Sequence, residues 1–234
     1  MPPDPQGNKP VPAWKEQARG LVHDAILDAA RATFAERGYA SATVDEIATR
    51  AEVSKGTIYN YVPGGKAGLF VAVLRAHFDE LDALAVRHLA GADAPFRARY
   101  HAFVADVMAY FQDNADLLRM HLREVPVLLV SEEGGEQAVL LRHQRDQIVG
   151  SIARALADAV ARGEVRDVPI KPTAHVAFGT LMGHLYHACS PAAGGAGCDV
   201  SSTDAAHFLT GLLFDGLRPD AAGSGGDGLL GPAL

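Results

Sequence analysis

The sequence predicts an all-α protein, and three observations carry that prediction. Apolar residues recur at helical spacing, as in Leu21, Val22, Ala25, Ile26, Ala29, Ala30, Thr33 and Phe34, and again in Phe70, Val73, Leu74, Phe78, Leu81 and Leu84. No run alternates apolar and polar residues with period two over a useful length. Helix start and stop residues sit where that spacing begins and ends, with Gly38 directly after Arg37 as a C-terminal glycine.

The elements follow in order. Residues 1–20 are rich in Pro, Gly and polar groups and are expected to form a flexible arm. A first helix covers Leu21 to Arg37. Later helical runs fall near 95–112, 115–130, 136–162, 172–189 and 203–217. Pro191 to Ser202, with Gly194, Gly195 and Gly197, reads as a loop. Residues 219–234, with Gly223-Ser224-Gly225-Gly226, read as a disordered tail. The expected division is an arm (1–20), a small N-terminal domain (21–66), a larger helical domain (67–218) and the tail (219–234).

Composition bounds the function. Hydrophobic content of 48% and charged content of 21% are those of a globular protein with a sizeable core. No stretch is apolar enough to span a membrane, and Met1-Pro2-Pro3-Asp4 lacks the order of a signal peptide. Cys189 and Cys198 are too few for a disulfide framework, so the expectation is a reducing cytoplasm. The net charge is -7, yet residues 1–70 hold equal numbers of acidic and basic side chains. The negative excess therefore lies beyond residue 70. A neutral head can approach phosphates while an acidic body is repelled from them, which permits DNA binding without arguing for it.

The stretch Ser41 to Tyr61 is the most informative. Thr43 and Glu46 form a Thr-x-x-Glu capping box that starts a helix with Val44, Ile47 and Ala48 on its apolar face. Ala51-Glu52-Val53 is a three-residue break. Ser54 then caps a second helix, in which Ile58 and Tyr61 face inward. Two short helices joined by such a break make a helix-turn-helix, whose second helix enters the major groove with its N-terminal residues first. The residues there suit that role. Lys55 supplies a cation, Gly56 allows close backbone approach, and Thr57 can reach a base edge or a phosphate. Tyr59 can donate its hydroxyl to a phosphate, and Asn60 carries the donor and acceptor pair that matches adenine.

Over about residues 22–74 the chain resembles the tetracycline-repressor-like (TetR) regulators. The resemblance rests on Ile26-Leu27-Asp28-Ala29-Ala30, Phe34, Gly38-Tyr39, Thr43-Val44-Asp45-Glu46-Ile47-Ala48, Val53-Ser54-Lys55-Gly56-Thr57-Ile58-Tyr59, and Lys66 followed by Leu69-Phe70. It implies a three-helix DNA-binding head, a connecting fourth helix and a helical regulatory body. It also implies that Thr43, Lys55, Thr57, Tyr59 and Lys66 contact DNA, mostly its phosphates. Three departures stand out. Glu52 replaces the usual turn glycine, at a cost of roughly 1 kcal/mol if the backbone there is left-handed. Val62 replaces a usual Phe. Pro63-Gly64-Gly65-Lys66 has one residue more than the usual turn and no Ser or Asp cap, although Lys66 is still expected near the DNA backbone at the start of the fourth helix.

The resemblance further implies a homodimer through the last two long helices, near 172–189 and 203–217. Gly179, Gly183 and Gly211 would allow close helix approach, and Phe208 to Leu217 is apolar enough for such a face. A pocket for a small apolar inducer is expected among the middle helices, lined by Phe103, Val107, Met108, Phe111, Leu118, His121, Leu122, Phe178, Met182 and Tyr186. The resulting expectation is a ligand-responsive repressor released from a palindromic operator. Alternatives are a metal- or redox-responsive regulator using His184, His187 and Cys189, with His175 nearby, or an enzyme or interaction module that binds no DNA. No nucleophile elbow, phosphate loop or Cys-x-x-Cys occurs, so neither a catalytic site nor a resident cofactor or metal is expected.

Overall fold

The computed structural model describes residues 12–130, 135–188 and 202–215, and all the regular structure in them is helical. The helices are α1 (Ala13–Ser41), α2 (Val44–Arg50), α3 (Lys55–Tyr61), α4 (Gly65–Leu89), α5 (Phe96–Asp113), α6 (Ala115–Val130), α7 (Gly135–Ala161), α8 (Ile170–Ala188) and α9 (Ser202–Asp215). The all-α expectation holds, and the later helices lie within two residues of their expected bounds.

The first helix corrects the sequence reading. It begins at Ala13, well inside the stretch read as an arm, so Lys15 and Arg19 are helical. Local composition misled here, because Arg19 gains a tertiary partner: its guanidinium lies 5.8 Å from the centre of the Tyr61 ring at the end of α3. Residues 1–11 of the expected arm, the proposed tail, both cysteines and nearly all of the Pro191–Ser202 loop lie outside the described residues. At its other end α1 breaks at Gly38 (φ 81°), where glycine takes a backbone that other residues resist.

The α1–α3 unit closes on a small aromatic core. Ile26, Ala30, Phe34, Ile47, Ile58 and Leu69 are fully buried. Phe70 meets Phe34 edge-on at 5.3 Å and Tyr39 at 4.7 Å, so the start of α4 belongs to this core. Val62 is buried in the place where a larger ring was expected. From there α4 runs 25 residues, about 37 Å at 1.5 Å per residue, into the second layer. There α4 packs on α5 and α7, α5 on α9, and α7 on α8.

Helix α6 ties the two layers together by packing along α1. Arg123 donates to the carbonyls of Phe34 and Ala35, the last turn of α1 before its break. Glu124 accepts from the Tyr39 N–H at 3.0 Å, and Arg31 donates to Asn114 at 3.2 Å. A cation on the exposed carbonyls of a helix end is favourable for the same reason as a C-terminal cap.

Candidate nucleic-acid interface

The helix-turn-helix is built as its sequence prescribes. Thr43 accepts from the Glu46 backbone at 3.2 Å while Glu46 accepts from the Thr43 backbone at 3.1 Å, a reciprocal capping box. The turn after α2 is a Schellman motif: Val53 N–H donates to Ala48 O at 3.0 Å, and Glu52 N–H to Thr49 O at 3.2 Å. That motif requires a left-handed residue, and Glu52 occupies it at φ 55°. Ser54 then caps α3 by accepting from Thr57 N–H at 3.0 Å.

Ile58, fully buried, pins α3 to the core and turns its other side outward. Thr43, Ser54, Lys55, Gly56, Tyr59 and Asn60 are exposed, with Thr57 half-buried beside them. The residues picked from sequence are thus accessible or, for Thr57, half-buried, while Lys66 is half-buried and engaged elsewhere. Its ammonium donates to Ala40 O at 3.0 Å and lies 4.9 Å from the Tyr39 ring, turned onto the end of α1.

Two further features bear on this surface. Lys55 pairs with Asp45 of α2 at 2.9 Å, and hydrogen bonding to that carboxylate raises its pKa. A phosphate would have to compete with Asp45 for this exposed cation. Second, the extra glycine resolves into a built turn. Gly64 (φ 91°) and Gly65 (φ 61°) are both left-handed, and Gly65 lies against the Tyr59 ring. A Cβ on Gly68 would stand 1.9 Å from the Pro63 carbonyl. The sequence held this signal as a third glycine four residues after Gly64, and it was missed.

Most of the side chains expected to line a pocket are packed in the core of the body. Phe103, Val107, Met108, Phe111 and Leu118 are buried in the continuous core, and none of the ten expected liners borders the cavity between α5, α7, α8 and α9. Leu122, Phe178 and Met182 are half-buried at the core's margin, while Tyr186 is 39% exposed on the outer face of α8. The reason is packing: aromatic and Met side chains at helical spacing interdigitate with α4 instead of leaving room. The cavity, about 340 Å³, lies instead where α5 begins, α7 ends and α8 begins, against the end of α9.

His121 belongs to a buried polar relay. His77 Nε2 lies 3.3 Å from His121 Nδ1, and His77 Nδ1 lies 3.1 Å from the Tyr110 hydroxyl. Burial holds His121 down at about pKa 4 and His77 well below its usual value, so both are neutral at pH 7. Among the described residues no group of three His, Cys, Asp or Glu side chains is placed to hold a metal ion. His184 is half-buried and His187 exposed on α8, His175 bonds to Lys171 O at 2.9 Å, and Cys189 lies outside the described residues. No described helix is long and apolar enough to cross a membrane.

The likenesses to known proteins follow this geometry. The family described as bacterial regulatory proteins, tetR family, matches residues 26–73, which span the helix-turn-helix and the start of α4. The transcriptional activator FasR of Mycolicibacterium smegmatis is 46% identical over 56 residues, 24% of this chain and 25% of that one. The transcriptional repressor KstR of Mycobacterium tuberculosis is 30% identical over 152 residues, 65% of this chain and 62% of that one. The matched region thus spans less than two thirds of either curated relative. In fold, the structure resembles the regulator FadR of Bacillus subtilis, solved with stearoyl-CoA, with a TM-score of 0.72 at 16% identity over 84% of this chain and all of that one.

Proposed function

We propose that the chain is a ligand-responsive transcriptional regulator of the TetR type, working as a homodimer on operator DNA, a reading supported by the family match over residues 26–73 and by the likeness to KstR. One observation carries the reading. The capped, Schellman-turned pair α2–α3 buries Ile58 and leaves Lys55, Gly56, Tyr59 and Asn60 accessible on the helix that a helix-turn-helix places in the major groove. In this reading Lys55, Thr57 and Tyr59 hold the phosphate backbone, Asn60 reads a base edge, and Thr43 and Ser54 present their capped turns to the strands on either side. Lys66 joins them only after leaving Ala40. The effector is an apolar small molecule bound in the body, a reading supported by the cavity there and by the stearoyl-CoA held by the FadR neighbour. Release from the operator is a population shift: the effector prefers a body shape that spaces the two heads wrongly.

The test is fluorescence anisotropy of the full chain on DNA from upstream of its own gene, against a scrambled duplex of equal length. Preferential binding that weakens steeply with salt is the expected result. Tyr59→Phe should weaken binding to every duplex about equally, as loss of a phosphate contact does. Equal affinity for specific and scrambled DNA at low salt would overturn the reading.

A further inference from the structure

We infer that the cavity at the far end of the body, remote from α3, is the effector site and that it takes an amphiphile with an apolar chain and a single carboxylate head. The inference deepens the regulator reading and depends on it for its consequence, though not for binding itself.

The walls supply the apolar half of the ligand. Phe96 and Leu156 are buried beneath the cavity, and Val165 and Phe214 are half-buried around it. Next to the wall residues Phe96 and Phe214, Arg97 and Asp215 tie α5 to α9 with two bonds of 2.6 Å. A space of about 340 Å³ so lined lies within the usual range for small-molecule sites.

The charge of the head is read from what remains unpaired at the mouth. Two charged residues line it, Glu164 and Arg166. Glu164 is engaged at both oxygens, accepting from Arg162 at 2.5 Å and from the Phe96 N–H at 2.6 Å. These bonds hold its carboxyl below the usual range, and Arg162 offsets its charge. Arg166 is exposed and makes no ion pair among the described residues. A fork-shaped guanidinium left free over an apolar chamber matches a carboxylate. Thr173, half-buried at the same mouth, adds a hydroxyl that can donate to it.

The position also explains how occupancy reaches the head. The lining joins the beginning of α5 to the end of α7, and both pack on α4, whose other end enters the aromatic core of the head. Arg99 fastens α5 to the end of α4 by donating to Leu89 O at 2.8 Å and Gly91 O at 2.7 Å. A ligand that spreads α5 from α7 therefore tilts the shaft on which the head sits.

Isothermal titration of the full chain with sodium decanoate and with the uncharged decanol tests the inference. Decanoate is expected to bind. Arg166→Gln should weaken decanoate at least tenfold and decanol less than twofold. Thr173→Trp, which fills the mouth, should abolish both while the circular dichroism spectrum stays that of the parent. Failure of decanoate to bind, or undiminished binding by both variants, would overturn the site. Loss of decanoate and decanol alike in Arg166→Gln would overturn the carboxylate assignment. Decanoate binding that responds to both variants, in a protein with no operator preference, would leave the site standing and remove the regulator reading.

Discussion

Glu52 shows how a single residue can be costly without being misplaced. The Schellman turn needs a left-handed backbone, and Glu52 adopts it at φ 55° to complete both carbonyl bonds. Glu52→Gly removes the steric penalty and is expected to raise unfolding free energy by about 1 kcal/mol in urea titration, with operator affinity unchanged. His121 makes a different demand. Its pKa is depressed from 6.5 to about 4 by burial, and His77 is depressed beside it. Between those limits the unfolded chain binds protons that the native state refuses. Stability therefore rises with pH across that window, and acidification below pH 6.5 removes it progressively until about pH 4. For His121 alone the slope approaches about 1.4 kcal/mol per pH unit. Urea midpoints measured from pH 7 to pH 4.5 should fall accordingly, and His121→Phe should flatten the profile. An equally steep profile in that variant would place the acid sensitivity elsewhere.

Helix α6 is the element through which body and head touch most specifically. Arg123 and Glu124 hold opposite sides of the α1 break, one on its last carbonyls and the other on the Tyr39 N–H. The guanidinium is partly exposed, so its removal is expected to cost only about 1 kcal/mol. The sharper readout is local: Arg123→Ala should speed hydrogen exchange at residues 38–42 while α2 and α3 keep their protection. Uniform acceleration through the head would mean that α6 supports the head as a whole and not its hinge. None of these partners was visible in the sequence. The caps at Thr43 and Ser54 were, because a cap acts within four residues and its chemistry is written in the residue type. The break at Gly38 and the strained turn at Glu52 were legible for the same reason. A bond between Arg123 and Phe34 depends on how two helices 89 residues apart in sequence cross, and no local pattern encodes that. The place of the body's cavity was illegible on the same ground. The side chains of α5 are periodic and apolar whether they line a void or fill it, and only the approach of α4 decides that they fill it.

At the scale of the whole molecule, one face of the described chain lacks a partner. Val176 is 57% exposed on α8, and Gly179, Gly183 and Tyr186 follow it along the same stripe at helical spacing. A Cβ at either glycine would meet open space, so these glycines serve no packing within the chain. On α9, Phe208 is 62% exposed. Exposed glycines flanked by exposed large apolar groups fit a second helix pair laid against them, which in the proposed homodimer a second copy of the chain would supply by two-fold symmetry. Such a dimer presents two copies of α3, and a paired head gains affinity only when both engage half-sites about 34 Å apart. Val176→Arg puts a charge in the middle of this stripe without touching the core. Sedimentation equilibrium should then show a monomer, with operator affinity lowered at least 100-fold and half-site affinity unchanged. The comparison between full operator and half-site is what separates a lost dimer from a damaged head. A variant that remains dimeric and binds as the parent does would assign this face to some other partner.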